Sequence, residues 1–168
     1  ALIGIILCAV MWFANFINGL GCAVQKIRIV CVGKLKEKFY SDAVAEDAKR
    51  LNHFADVRIF ELAERRTLAE EAEHIVKELR GYVVVLAVEG KKLSSEALAE
   101  RMRVLGGEGK EITFVIGSSC GLDACVKARA DLLLSFSDMT FPHQLMRVIL
   151  FEQIYRAFMI NAGSEYHN

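Results

Sequence analysis

The sequence predicts an α/β domain built on a mostly parallel sheet, and three observations support this. From Lys26 onward, short β-branched segments alternate with longer amphipathic ones, the order that produces strand–helix–strand units. Residues 82–88 (YVVVLAV) and 111–116 (EITFVI) are continuous apolar runs, as strands covered on both faces must be. No repeat, low-complexity tract or Pro/Gly-rich linker interrupts the remainder, and Pro142 is the only proline.

The elements follow in order. Residues 26–32 (KIRIVCV) alternate apolar and polar positions in a β-branched run, which predicts a strand. Residues 41–52 have helical spacing, with Val44, Ala48 and Leu51 on one face. A second strand is predicted over 56–62, and a helix over 68–80 whose stripe is Leu68, Ala72, Ile75, Val76 and Leu79. The buried strand 82–88 is followed by a helix over 94–104, opened by the capping residue Ser94. The buried strand 111–116 ends at Gly117. A short helix over 122–130, a brief strand over 132–135 and a long helix over 142–160 complete the chain. Proline at position 142 suits a first helical turn.

The first 25 residues differ in kind. They contain no charged side chain, whereas every Lys, Arg, Asp and Glu lies between Lys26 and Glu165. At about 20 apolar residues per span, such a run is long enough to cross a bilayer. Two readings are carried forward for residues 1–24: an upstream read-through preceding an alternative start at Val24, or a membrane anchor. Residues 25–168 are expected to form the domain, which is membrane-associated only if the extension is a genuine anchor.

With 21 basic and 21 acidic residues the net charge is zero. A protein that coats nucleic acid non-specifically is normally basic, so any RNA contact must come from a local patch or from shape. The five cysteines have no framework spacing, and reduced thiols in a cytoplasmic protein are expected. Cys120 and Cys125 lack partner motifs, so no metal site is expected.

Ligands of parallel sheets bind at the carboxyl ends of the strands, here residues 86–90, 117–121 and 135–140. No G-x-G-x-x-G or G-x-x-x-x-G-K-[ST] follows the first strand, which argues against dinucleotide and P-loop sites. The loop Gly117-Ser118-Ser119-Cys120-Gly121 could let backbone approach a flat ligand, or could be a structural turn. Residues 137–143 lead into a helix start, which leaves backbone N–H groups free to face a ligand. The helix that follows is apolar on nearly all sides and must be buried all round, so a subunit interface is expected. Within it, Glu152 and Arg156 are spaced as an ion pair. Arg147 and Arg156 are candidate RNA contacts, against the alternatives of a solvated arginine and that surface ion pair.

Several segments together resemble one family: Val32-Gly33-Lys34-Leu35-Lys36, Glu89-Gly90-Lys91, Phe114-Val115-Ile116-Gly117, Gly121-Leu122, Met139-Thr140-Phe141-Pro142-His143-Gln144, Arg147-Val148, Glu152-Gln153-Ile154-Tyr155-Arg156-Ala157 and Tyr166-His167. The similarity is to the small SPOUT-class enzymes that methylate N3 of a pseudouridine in large-subunit (23S) ribosomal RNA. It runs from about Gln25 to the end. It implies a C-terminal deep trefoil knot, an exception to the rule against knotting, and a homodimer acting on the assembled ribosome with S-adenosylmethionine. Carried over, the cofactor contacts would be Leu86, Gly117, Phe136, Ser137, Asp138, Met139, Thr140 and Phe141. The final helix would form the dimer interface. Ser118 stands where related sequences often have a second glycine, and Asn168 where a basic residue usually follows Tyr-His.

The imide N3–H must lose its proton before or during attack, and a water-poor pocket favours transfer from a sulfonium to an anion. Candidate proton acceptors or orienters are His143, Tyr166 and His167. A lone histidine more often makes a structural hydrogen bond, so the terminal Tyr166-His167 pair, placed to meet substrate across the dimer, is the favoured one. A non-enzymatic ribosome-binding dimer and a membrane-anchored α/β protein are the competing readings.

Overall fold

The computed structural model describes residues 24–167. The read-through and anchor readings fall on the extension, nearly all of which lies outside the described residues. Among the described residues no helix is long and apolar enough to cross a membrane.

Among the described residues, five strands and five helices follow one another as β1 (Gln25–Val32), α1 (Lys38–Leu51), β2 (Ala55–Leu62), α2 (Leu68–Glu78), β3 (Tyr82–Lys92), α3 (Ser95–Gly107), β4 (Ile112–Ile116), α4 (Ala124–Lys127), β5 (Leu132–Ser135) and α5 (His143–Asn161). A 3-10 turn, Glu165–His167, ends the described chain. The sheet order is β2-β1-β4-β3-β5 and all four pairings are parallel, as the alternating segments predicted.

Alternate side chains of the central strands feed two cores. Ile27, Ile29, Val84, Ile112 and Phe114 pack on one face beneath α1, α3 and α5. Val30, Val32, Val83, Val85 and Val115 pack on the other beneath α2 and α4. Because β1 is internal, its apparent alternation does not mean one wet face. Its polar position Arg28 is half-buried, ion-paired to Glu78 at 2.9 Å and Glu111 at 3.1 Å, and lies over the Phe60 ring.

Local signals set the helix starts. Ser94 caps α3 by accepting from the Ala97 N–H at 3.2 Å, and Thr67 caps α2 through the Glu70 N–H. Pro142 stands just before α5, so the helix begins one residue later than its sequence pattern suggests.

Candidate active site at the carboxyl edge of the sheet

All five strands are parallel, so their carboxyl ends share one edge. A cavity of about 580 Å³ opens there between the ends of β3, β4 and β5 and the start of α5, within the usual size range of small-molecule sites. Its walls come from the three strand ends singled out by sheet logic.

The β3 wall depends on an irregularity within the strand, which continues to Lys92 instead of ending at residue 88 as the sequence predicts. Leu134 of β5 is in register with both Leu86 and Lys91, so residues 87–90 leave the ladder, and Ala87, Val88 and Glu89 line the cavity. Gly90 makes the return possible, because a Cβ there would lie 2.8 Å from the Leu133 and Leu134 backbone. At the end of β4, Gly117 is packed as closely: a Cβ would meet the Gly121 carbonyl oxygen at 2.3 Å. The Gly121 N–H donates to the Ser118 carbonyl at 3.0 Å. The segment is therefore a closed turn, and it also lines the cavity. The Ser118 hydroxyl donates to Glu71 at 2.9 Å, and the other oxygen of this carboxylate accepts the Arg65 N–H at 3.1 Å. Glu71, only 5% exposed, thus ties the loop after β2 to the turn after β4. It was missed in the sequence because its position in the first turn of α2 reads as helix-dipole stabilisation alone.

The loop from β5 to α5 forms the third wall. Ser137, Met139, Thr140, Phe141 and His143 line it together with Phe136. The Met139 N–H donates to the Ser137 hydroxyl at 3.0 Å, while the backbone N–H groups of Ser137, Asp138, Thr140 and Phe141 have no partner among the described residues. Free donors beside an apolar wall are what an amino-acid carboxylate or an adenine edge requires. Asp138 does not line the cavity. Its carboxylate is ion-paired with Lys92.

His143 lines the cavity, and its Nε2 is buried without a hydrogen-bond partner among the described residues. Burial first, then the cations of Arg147 and Lys36, hold its pKa below 6.5, opposed by Glu64. The imidazole is therefore mostly neutral at physiological pH.

The RNA contact expected of Arg147 does not fit where the structure places it. Arg147 is 2% exposed. Its guanidinium donates to Glu61 at 2.8 Å, to the Val32 carbonyl at 3.0 Å and to the Gly33 carbonyl. Both terminal nitrogens are used inside the protein, while the buried Nε has no hydrogen-bond partner among the described residues, so the side chain holds the end of β1 instead of reaching outward. Arg156 takes the ion-pair alternative, 2.7 Å from Glu152, with its guanidinium over the Tyr166 ring. Tyr166 donates its hydroxyl to Glu152 at 3.0 Å and stacks edge-on against Tyr155. It is not among the cavity-lining residues. Burial and then the bond to Glu152 raise its pKa, so it stays a protonated donor. Of the candidate proton acceptors, His143 lines the cavity and Tyr166 does not. His167 ends the 3-10 turn that carries Tyr166.

The fold and cavity meet a family pattern. A model described as "Predicted SPOUT methyltransferase" matches residues 25–167, and the chain belongs to this family of methyltransferases. Among curated proteins, those named "Ribosomal RNA large subunit methyltransferase H" are similar over nearly their whole length. The one from Bifidobacterium adolescentis is 50% identical over 158 residues, covering 85% of this chain and 99% of that protein. The one from Lactobacillus acidophilus shares 50% with the same coverage, and the one from Streptococcus suis shares 45%.

Proposed function

We propose that this chain transfers a methyl group from S-adenosylmethionine to large-subunit ribosomal RNA, at N3 of a pseudouridine on the assembled ribosome. One observation carries the reading. In a chain of this family, the cavity of about 580 Å³ is walled by the loops that sheet logic and resemblance had both singled out. The relatives' printed name supplies the substrate class.

The residues fit the cofactor. Leu86, Gly117 and Phe136 line the cavity where a flat base would lie, and the free N–H groups of Ser137, Asp138, Thr140 and Phe141 suit a carboxylate. When bound, S-adenosylmethionine supplies an electrophilic methyl on a sulfonium. The chain's part is to position the acceptor in line and exclude water, which account for much of the barrier reduction in such displacements. Leu86, Gly117, Phe136, Ser137, Asp138, Met139, Thr140 and Phe141 are the proposed cofactor contacts, Asp138 through its backbone. A trefoil knot in the C-terminal half would bring these loops together. A homodimer through the outer face of α5 would set Tyr166 and His167 of one protomer at its partner's cavity, with Tyr166 as a hydrogen-bond donor. Such a protein is expected to work in the cytoplasm.

His143 is the proposed acceptor of the N3 proton. Its neutral form is the active one, so turnover should fall as pH drops through a pKa lowered below 6.5, and should persist above it. The acid limb of kcat/KM should disappear in His143→Gln along with about 100-fold of rate, the usual size of a lost acid–base group. An unchanged acid limb in that variant would assign the proton to another group.

The test is methyl incorporation from labelled S-adenosylmethionine into assembled ribosomes, with the modified nucleotide mapped. Transfer to one pseudouridine of the large-subunit RNA is expected, and a chain truncated after Glu165 should bind cofactor by calorimetry yet transfer about 100-fold more slowly. Cofactor binding without any incorporation would favour a non-enzymatic ribosome-binding dimer.

A further inference from the structure

The loops after β1 and β2 also lie on the carboxyl edge, beside the cavity. Residues 33–38 and 63–67 carry five cations, Lys34, Lys36, Lys38, Arg65 and Arg66, against two carboxylates, Glu37 and Glu64. Lys38 is held by Asp42 at 2.6 Å. The other four are exposed, and their side chains make no hydrogen bond or ion pair among the described residues. On the β3 and α4 side of the cavity, Lys92 and Lys127 are instead held by Asp138 and Glu89. In a chain of zero net charge, this is a local excess of unpaired positive charge on the two loops.

Both loops are fixed to the cavity by hydrogen bonds. The Lys36 N–H donates to the Gln144 side chain in the first turn of α5 at 2.9 Å. The Arg65 N–H donates to Glu71, which in turn holds Ser118 of the cavity wall. The Gly33 N–H closes the pair by donating to the Leu62 carbonyl at 2.8 Å. A polyanion gripped by these side chains would lie in a set register with the cavity.

We infer that Lys34, Lys36, Arg65 and Arg66 form a phosphate-binding surface that holds the RNA backbone beside the cavity. The inference rests on the proposed function for its occupant. Phosphate contacts of this kind position a nucleic acid without reading its bases. They suit an enzyme whose specificity comes from the nucleotide entering the cavity.

The test compares K34A/K36A/R65A/R66A with K49A/K77A, a control that removes two exposed cations from the helices α1 and α2. Near pH 8, where His143 is uncharged, the quadruple variant should raise KM for ribosomes at least about tenfold. Its kcat and calorimetric cofactor affinity should stay within about twofold of the parent, and the control should match the parent throughout. On protein-free large-subunit RNA, the slope of log affinity against log salt should fall by about 3, at 0.7–0.9 per lost phosphate contact. A parental KM and slope in the quadruple variant would overturn the inference. So would weaker ribosome binding with an unchanged slope on protein-free RNA, which would move the contact to an acidic ribosomal protein. If the parent chain methylates nothing, the functional reading fails by itself, and the salt slope still decides whether this surface binds phosphates.

Discussion

Arg147→Ala should lower the unfolding free energy by about 3–5 kcal/mol, because it strips buried groups of a charged partner. For a domain of this size the melting temperature should fall by roughly 10 °C. The side chain is among the largest that are fully buried, and it satisfies the Val32 and Gly33 carbonyls, where the central strand β1 ends. Cys31 beside it offers no countercharge, since burial pushes its thiol up to about 11. Glu61 alone balances the guanidinium, and it remains partly exposed. The loss should therefore come mainly from unsatisfied carbonyls and the vacated volume, with little from the ion pair. Three variants separate these contributions. Glu61→Gln should cost under about 1 kcal/mol, as partly exposed pairs do. Arg147→Met restores volume and should recover only part of the loss. Arg147→Lys cannot reach all three acceptors with one ammonium group. Denaturant titration of the four proteins measures this directly, and a loss under 1 kcal/mol in Arg147→Ala would remove Arg147 from its supporting role.

Arg147 also illustrates which parts of the molecule local sequence could reveal. The strands and helices were legible because their signals are local: β-branched runs, the 3.6-residue stripe of α2, Ser94 as a cap, Pro142 before α5. Their ends moved by a few residues, as end fraying and competing caps allow. The carboxyl-edge loops were legible from topology alone, since a parallel sheet places its ligands there. What escaped depends on distant partners. Arg147 meets Glu61 and Val32 across separations of 86 and 115 residues, so from its own segment an arginine one turn from His143 reads as an RNA contact or a solvated side chain. Glu71 meets Ser118 across 47 residues, and neither position is unusual in its own segment. The excursion of β3 was hidden for another reason. Residues 82–88 are apolar throughout, and only Gly90, needed for the close approach to Leu133 and Leu134, hints that pairing is interrupted. Tyr166 was placed near the chemistry by motif, yet within one chain it packs on Tyr155 and Glu152. A residue that acts on a second subunit would look displaced in this way.

Gly117→Ala should weaken S-adenosylmethionine binding by about 100-fold or more, and transfer with it, because the cavity wall cannot keep its shape around a methyl group. Gly117 does not have a positive φ, so alanine meets no backbone penalty and the whole effect is steric. The added Cβ would lie 2.3 Å from the Gly121 carbonyl oxygen, 2.8 Å from its carbon and 2.7 Å from the Leu122 side chain. Two of these three neighbours are backbone and cannot rotate away. The turn held by the bond from the Gly121 N–H to the Ser118 carbonyl must open, and Ser118, Ser119 and Gly121 line the cavity. Overpacking at such a site costs about 1–3 kcal/mol of stability, less than the whole stability of an ordinary domain, so the protein should still fold. Ser118→Ala is the informative companion. It removes the bond to Glu71 and leaves the turn, so the worth of that bond, roughly 1.5–3 kcal/mol, should fall mainly on stability, and cofactor affinity should change by less than about tenfold, ~1.4 kcal/mol. Calorimetric titration of both folded variants tests the pair, and Gly117→Ala binding within threefold of the parent would mean that this turn does not shape the cofactor site.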